Sequence, residues 1–234
     1  MNDSDYISYD KSLSVTDAIN TRRSLRAFLP EDVPNDVVRS ILTTAARAPS
    51  GTNMQPWEVY VLKGDTLKAV SESVCAAFDN PDIKPSSETQ YYPTKWFEPY
   101  LARRRKVGWD LYGLLDIKKG DREKTHKQHK RNYEFFDAPL GMMFTIHKEL
   151  ATGSWLDYGM FLQNIMLLAR EAGLHTCPQA AWPDYHTEVR KVLNFTPEEV
   201  LVCGMTMGYA NPDAIENTLV TDRVPVDEFV RFLD

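Results

Sequence analysis

Apolar and polar positions alternate along this chain in two periods. Behind Pro34, the residues Val37, Val38, Ile41, Leu42, Ala45 and Ala46 recur three and four apart, which predicts a helix with one buried face. At 57–62 the period changes to two, the mark of a half-buried strand. Gly64-Asp65 turns the chain into a helix expected from about 66 to 78. A short continuous apolar run at 140–146 predicts a strand in the middle of a sheet. Gly153-Ser154 opens a long helix through Ala172, and Gly173 stops it. Met160, Phe161, Leu162, Ile165, Met166, Leu167, Leu168 and Ala169 make that helix apolar nearly all round, as expected of one buried centrally or at a subunit interface. Extended segments at 174–181 and 200–209 flank a helix expected at roughly 184–193.

The ends and one internal stretch break this rhythm. Residues 1–13 read as a polar arm, after which Ser14 and Asp17 stand in a capping arrangement for a short helix beginning at Ala18. Near the other end, Pro225 precedes Phe229, Val230 and Phe232, read as a short amphipathic helix. Residues 79–130 are expected to form a lid-like insertion in one domain spanning 1–234. Turn signals crowd its start, at Asn80-Pro81, Lys84-Pro85-Ser86-Ser87 and Tyr92-Pro93. Then Trp96, Phe97, Tyr100, Trp109 and Tyr112 gather around the run Arg103-Arg104-Arg105-Lys106. The alternation of helices and strands implies an α+β or α/β sandwich.

Charge and composition narrow the function. The chain has 234 residues and a net charge of −6, which speaks against a nucleic-acid binder and turns the basic–aromatic stretch into a substrate lid or a dimer surface. No apolar run is long enough to span a bilayer, and the polar start does not resemble a signal peptide. The 3 cysteines are far apart and form no CxxC, as expected in a reducing cytoplasm. His126 and His129 stand at a metal-ligand spacing, but Lys124, Lys127 and Lys130 surround them, so a solvated helix is expected and no metal site. The dinucleotide GxGxxG, the GxxxxGK[ST] phosphate loop and the GxSxG elbow are all missing.

Two stretches carry candidate chemistry. Arg22-Arg23-Ser24-Leu25-Arg26 places three arginines and a hydroxyl within five positions of an acidic chain, suited to an anion. Pro49-Ser50-Gly51-Thr52-Asn53-Met54-Gln55-Pro56-Trp57 is a loop of small and amide residues that lets backbone approach a ligand. Gly208, at the end of the last strand, is a further candidate for close approach to a ligand.

Taken together and in this order, these stretches resemble the FMN-dependent nitroreductase family. Phe136-Asp137-Ala138-Pro139, Gly208-Tyr209 and Arg223 extend the resemblance over most of the chain. The insertion and Arg131-Asn132-Tyr133-Glu134-Phe135-Phe136 are similar to bacterial members acting on nitroaromatics such as nitrobenzoates. The resemblance implies a three-layer α+β sandwich, its central, mainly antiparallel sheet flanked by helices, in an interlocked homodimer with FMN at two interfacial sites. By position, Arg22 and Arg223 would hold the FMN phosphate, with Arg23 and Ser24 on the phosphate–ribityl side. Arg26 and Asn132 would meet the pyrimidine edge. Pro49, Ser50, Gly51 and Asn53 would come from the partner subunit, and Pro178, Gln179 and Ala180 would pass the central ring. Trp96, Trp109, Tyr112 and Phe135 are expected on the substrate side.

The chain departs from the family pattern at Phe135 and Thr221, where many relatives have a basic residue, and at Ala180, where some have an acid. The resemblance implies a ping-pong cycle in which NAD(P)H reduces the flavin and a nitroaromatic or quinone then accepts the electrons. A cation beside the pyrimidine edge would stabilise the reduced flavin, and Arg26 has the charge and planar donors for it. Two other readings stand beside this one. One is a reductive dehalogenase of halophenols, similar to iodotyrosine deiodinase. The other is a flavin-binding dimer without enzymatic activity.

Overall fold

The computed structural model describes residues 8–233, so most of the expected arm at 1–13 lies outside the described residues. Four strands form one sheet in the order β1-β2-β4-β3, where β1 is Glu58–Lys63, β2 Leu140–His147, β3 His175–Gln179 and β4 Glu199–Gly208. All three pairings are antiparallel. The central position expected of 140–146 follows from composition: β2 is apolar on both faces, and only His147 at its end is exposed.

Side chains on β2 alternate between two cores. Met142, Phe144 and Ile146 face helix α2 (Asn35–Ala45) and the long helix α6 (Thr152–Glu171). Met143 faces the opposite layer, built on α3 (Gly64–Asp79) and α7 (His186–Leu193) with Tyr133, Phe135 and Trp182. A bulge opposite Phe144 and Thr145 adds a residue to β4 at Val202 and switches its phase, so that Leu201 lies in one core and Cys203 in the other. Helices thus cover both faces of the sheet, the three-layer arrangement expected.

The element boundaries report how far periodicity reaches. α1 (Val15–Thr21) is capped by Ser14 Oγ, which accepts from the Asp17 backbone at 3.1 Å. Gly64 adopts φ +52 as α3 begins, a left-handed conformation at the bend between strand and helix. The helix expected at 184–193 starts at His186, because Trp182–Asp184 forms a 3-10 turn around Pro183. The expected tail helix is corrected: Val226–Glu228 makes a single 3-10 turn, and Phe229, Phe232 and Leu233 stand exposed. So short a helix needs an apolar surface to lie on, and the exposed Phe229, Phe232 and Leu233 are not packed against one among the described residues. α6 is also less enclosed than its composition suggested, for Tyr158, Phe161, Ile165 and Ala169 are buried while Leu156 and Met160 face outward.

The insertion builds α4 (Tyr100–Leu114) and α5 (Arg122–Lys130). α4 buries none of its residues. Lys106 ties it to Asp222 of the tail at 3.1 Å, and α5 is held to the end of α3 through Asp79, which His126 meets at 2.8 Å and Lys130 also pairs with.

Candidate functional site

Arg22 ends α1, and the chain beyond it runs extended beside β3, with Ser24 bridged to Thr176 and Phe28 to Ala210. An extended chain sends alternate side chains to opposite sides. Arg22, Ser24 and Arg26 therefore share one side, and Leu25 turns into a small core with Phe28, Phe136 and Cys177. The side chain of Asn217 fixes this segment from the far end of the sequence. Its oxygen accepts from the Arg26 backbone at 2.8 Å, and its nitrogen donates to the Ala27 carbonyl at 2.8 Å. The neighbouring Glu216 pairs with Arg131, which also meets Asp137 at 2.9 Å. Glu216 and Asn217 thus join the arginine segment to the segment carrying Asn132, and nothing in the sequence pattern singled them out.

The arginines converge. Arg22 is held below its ordinary pKa, first by burial and then by the charges of Arg223 and Arg23. Arg22 and Arg26 both act on the Cys177 thiol, pulling its pKa down, yet burial dominates and raises it to about 11. The Cys177 thiol is therefore neutral. Among the described residues, no carboxylate pairs with Arg22, Arg26 or Arg223. Three cations, Arg22, Arg26 and Arg223, gathered with no carboxylate on them among the described residues, fit a bound anion of high charge, as a phosphate group is. Arg223 is steadied by Thr221, whose hydroxyl and carbonyl accept from it at 2.9 and 3.1 Å. The departure at Thr221 thus supplies an acceptor that orients the last arginine.

β3 leads from this cluster to Asn132. The Gln179 amide nitrogen donates to the Asn132 carbonyl at 2.6 Å, and its oxygen accepts from Thr206 at 2.8 Å. Asn132 donates its own side-chain nitrogen to the His129 carbonyl at 3.0 Å. Pro178 and Ala180 are half-buried on either side of buried Gln179. Arg22, Arg26, Asn132, Gln179 and Arg223, with Arg23, Ser24, Pro178 and Ala180 as chain neighbours, therefore lie along one continuous region beside β3.

Pro49, Ser50, Gly51 and Asn53 lie elsewhere. Gly51 N–H donates to Asp157 near the start of α6 at 3.0 Å, whereas α1 meets α6 near its end, where Arg170 donates to Thr21 at 3.3 Å. Asp157 and Arg170 are thirteen residues apart, about 20 Å along a helix axis. Within one chain, this loop does not reach the arginines.

One expectation is corrected. Phe135 is fully buried, tilted against Trp182 with ring centroids 4.6 Å apart, and it fills the space above Gly141. It belongs to the core and not to the substrate side. Gly208 is closely approached by the chain itself: a Cβ there would stand 3.2 Å from Phe28 and 3.5 Å from Pro139. Its smallness serves packing.

The remaining substrate-side candidates sit on the insertion. Arg104 lies over the Trp96 ring at 4.8 Å, and Trp109 meets Tyr112 edge-on at 6.2 Å. The Tyr112 hydroxyl is 3.2 Å from His129 Nε2. With His126 on Asp79 and His129 on Tyr112, both histidines have partners of their own, and no metal-ligand group is found among the described residues.

The nitroreductase family model matches residues 19–209. A 4-nitrobenzoate reductase of Pseudomonas putida is 36% identical over 215 residues, covering 92% of this chain and 93% of its own. A chloronitrobenzene nitroreductase of Comamonas testosteroni is 35% identical over 219 residues, covering 94% and 96%. The crystal structure of an FMN and NADPH-dependent nitroreductase, NfnB from Sphigopyxis sp. strain HMH, superposes with a TM-score of 0.92 at 34% identity, over 95% of this chain and 100% of the other. An iodotyrosine deiodinase of Hydra vulgaris matches only 47% of this chain, at 29% identity. Sequence, fold and the convergence of the arginines agree, and the chain belongs to the nitroreductase family.

Proposed function

We propose that this protein is an FMN-dependent NAD(P)H oxidoreductase that reduces nitroaromatic compounds. The observation that carries the reading is the cluster of Arg22, Arg26 and Arg223 around β3, with no carboxylate paired to any of the three among the described residues. Arg22 and Arg223 suit the FMN phosphate, with Arg23 and Ser24 beside it. Arg26 suits the pyrimidine edge, where a permanent cation stabilises negative charge. Asn132 would share that edge, and the backbone of Pro178, Gln179 and Ala180 would flank the ring. Bound FMN would supply the redox chemistry, taking electrons from NAD(P)H and passing them to the acceptor. The chain's part is to hold the cofactor, keep one face open and let donor and acceptor alternate, a ping-pong order that also admits quinones.

The reading includes a homodimer in the cytoplasm. The separation within one chain, about 20 Å along α6 between the docking points of the 49–53 loop and of α1, would be bridged by a second copy lending its loop, and the exposed Leu156 and Met160 of α6 offer an apolar face for it. Three free cysteines, two of them buried, agree with a reducing compartment. No helix among the described residues is long and apolar enough to cross a membrane.

The test is spectroscopic. Purified protein supplied with FMN should turn yellow, bleach anaerobically with NADH or NADPH, and recover its colour on adding 4-nitrobenzoate. A protein that stays colourless overturns the reading. Bleaching without recovery on any nitroarene leaves dehalogenation as the second reading, and turnover of an iodophenol then decides it. Absence of bleaching indicates a flavin binder without enzymatic activity.

A further inference from the structure

α4 presents a cation that no carboxylate among the described residues neutralises. Lys106 is paired with Asp110 and Asp222, and Arg103 lies over Tyr100 at 5.8 Å. Arg104 pairs with no carboxylate among the described residues, and its guanidinium rests on the Trp96 ring. Arg104, Gly108 and Tyr112 recur every fourth residue and so share a face of the helix. Arg104 and Tyr112 are close enough for the cation to favour the ionised phenol, against the burial that raises its pKa. Between them Gly108 leaves a gap, since a side chain placed there would find no atom within 4 Å. Along this face the residues one turn before and one turn after the open position carry a guanidinium and a phenol, and the position itself is bare backbone.

The gap also adjoins the candidate flavin site. Tyr112 meets the His129 ring, the His129 carbonyl accepts from Asn132, and the Asn132 carbonyl accepts from Gln179. On the other side of α4, Lys106 reaches Asp222, the residue before Arg223.

We propose that Arg104 is a specificity-determining residue that reads a carboxylate on the aromatic acceptor, whose ring lies over Gly108 between Trp96 and Tyr112. The proposal rests on the nitroreductase reading above. A guanidinium lying over an indole ring still has N–H groups to offer an anion, and a planar carboxylate matches them with two parallel hydrogen bonds. The stack also pre-orients a long side chain that would otherwise lose freedom on binding. A neutral nitroarene gains the aromatic walls but not the charged contact. Arg104 therefore separates nitrobenzoates from nitrobenzenes, a distinction on which the relatives of this chain differ by name.

The experiment uses the full-length protein loaded with FMN, with 4-nitrobenzoate and 4-nitrobenzamide as acceptors. Arg104→Gln should lower kcat/KM for 4-nitrobenzoate about tenfold or more, mainly through KM, as expected for one lost charge-assisted hydrogen bond. Turnover of 4-nitrobenzamide should stay within about twofold, since a neutral acceptor never had that contact. Arg104→Lys should restore part of the loss. Gly108→Leu should weaken both acceptors by filling the floor. Equal losses on both acceptors with Arg104→Gln, or no loss on either, overturn the proposal. If wild-type protein reduces neither acceptor, the nitroreductase reading has failed, and titration with benzoate and benzamide decides the subsite alone. Saturable benzoate binding that Arg104→Gln removes, with benzamide unaffected, upholds it. No saturable benzoate binding, or equal affinity in both proteins, overturns it.

Discussion

The side-chain amide of Gln179 donates to the Asn132 carbonyl at 2.6 Å and so fastens the end of β3 to the segment that closes the insertion. Gln179 is buried, and its oxygen takes the Thr206 hydroxyl, so both ends of the amide are used. Gln179→Leu keeps the bulk, takes the acceptor from the buried Thr206 hydroxyl and leaves the Asn132 carbonyl with only the Phe135 N–H. It should cost about 2–3 kcal/mol in urea unfolding. It should also weaken FMN binding, because Asn132 loses its anchor. A variant as stable as wild type would show that the amide contributes no support.

Arg22 predicts effects of opposite sign in the empty and the loaded protein. Burial and the charges of Arg223 and Arg23 disfavour its ionised form, so the empty site carries mutual repulsion. Arg22→Met should leave the melting temperature of the FMN-free protein unchanged or raise it. The same change should weaken FMN binding by about 1.5–3 kcal/mol, the scale of a hydrogen bond to a charged group. Fluorescence titration and thermal unfolding separate the two. A lower melting temperature with unchanged FMN affinity would assign Arg22 a purely structural role.

His175 should give stability a distinct pH dependence. Burial lowers its pKa to about 3, with the charges of Arg170 and Arg23 adding to the effect, and Arg170 donates to its Nε2 at 2.9 Å. A depressed histidine pKa means that the unfolded chain binds the proton first as pH falls. Stability is therefore full above the ordinary histidine value of about 6.5 and falls as pH drops from there toward 3. Between pH 7 and 5 the loss from this group is about 2 kcal/mol. His175→Gln keeps an acceptor for Arg170 and should remove that part of the slope. Identical pH profiles for the two proteins would refute the assignment.

Gly141 and Gly204 each lie beneath an aromatic ring. A Cβ would stand 2.2 Å from Phe135 at the first and 2.2 Å from Trp182 at the second. Both rings are fully buried and cannot swing into solvent. Gly141→Ala and Gly204→Ala should each destabilise by about 1–3 kcal/mol, the cost of overpacking a filled core. Gly113→Ala, in open space on α4, serves as the control and should be neutral or stabilising. Wild-type stability of Gly141→Ala would mean that Phe135 does not fill this site.

The sheet and its covering helices were legible in the sequence because their signals are local. The period of 57–62, the run at 140–146 and the stripe behind Pro34 each arise within a few residues and survive any tertiary arrangement that buries them. Arg22, Ser24 and Arg26 were legible for the same reason, since an extended chain alternates its sides wherever it lies. Phe135 was misread because the ring that covers it is distant in sequence: Trp182 tilts against it, and nothing in the motif around Asn132 implies that contact. The tail misled in the opposite way. Phe229 and Phe232 have helical spacing but are not packed against an apolar surface among the described residues, so the pattern alone did not make a helix.

By itself the sequence determined the strands, the main helices, the arginine segment and, by resemblance, the family. Tertiary structure alone decided that Arg223 reaches Arg22, that Asn217 holds Arg26, and that the 49–53 loop docks near the start of α6 while α1 docks near its end. The reason is chain closure. Asn217 and Arg26 are separated by 191 residues, and no local rule of propensity or period specifies which distant groups will meet once four strands and their covering layers have packed.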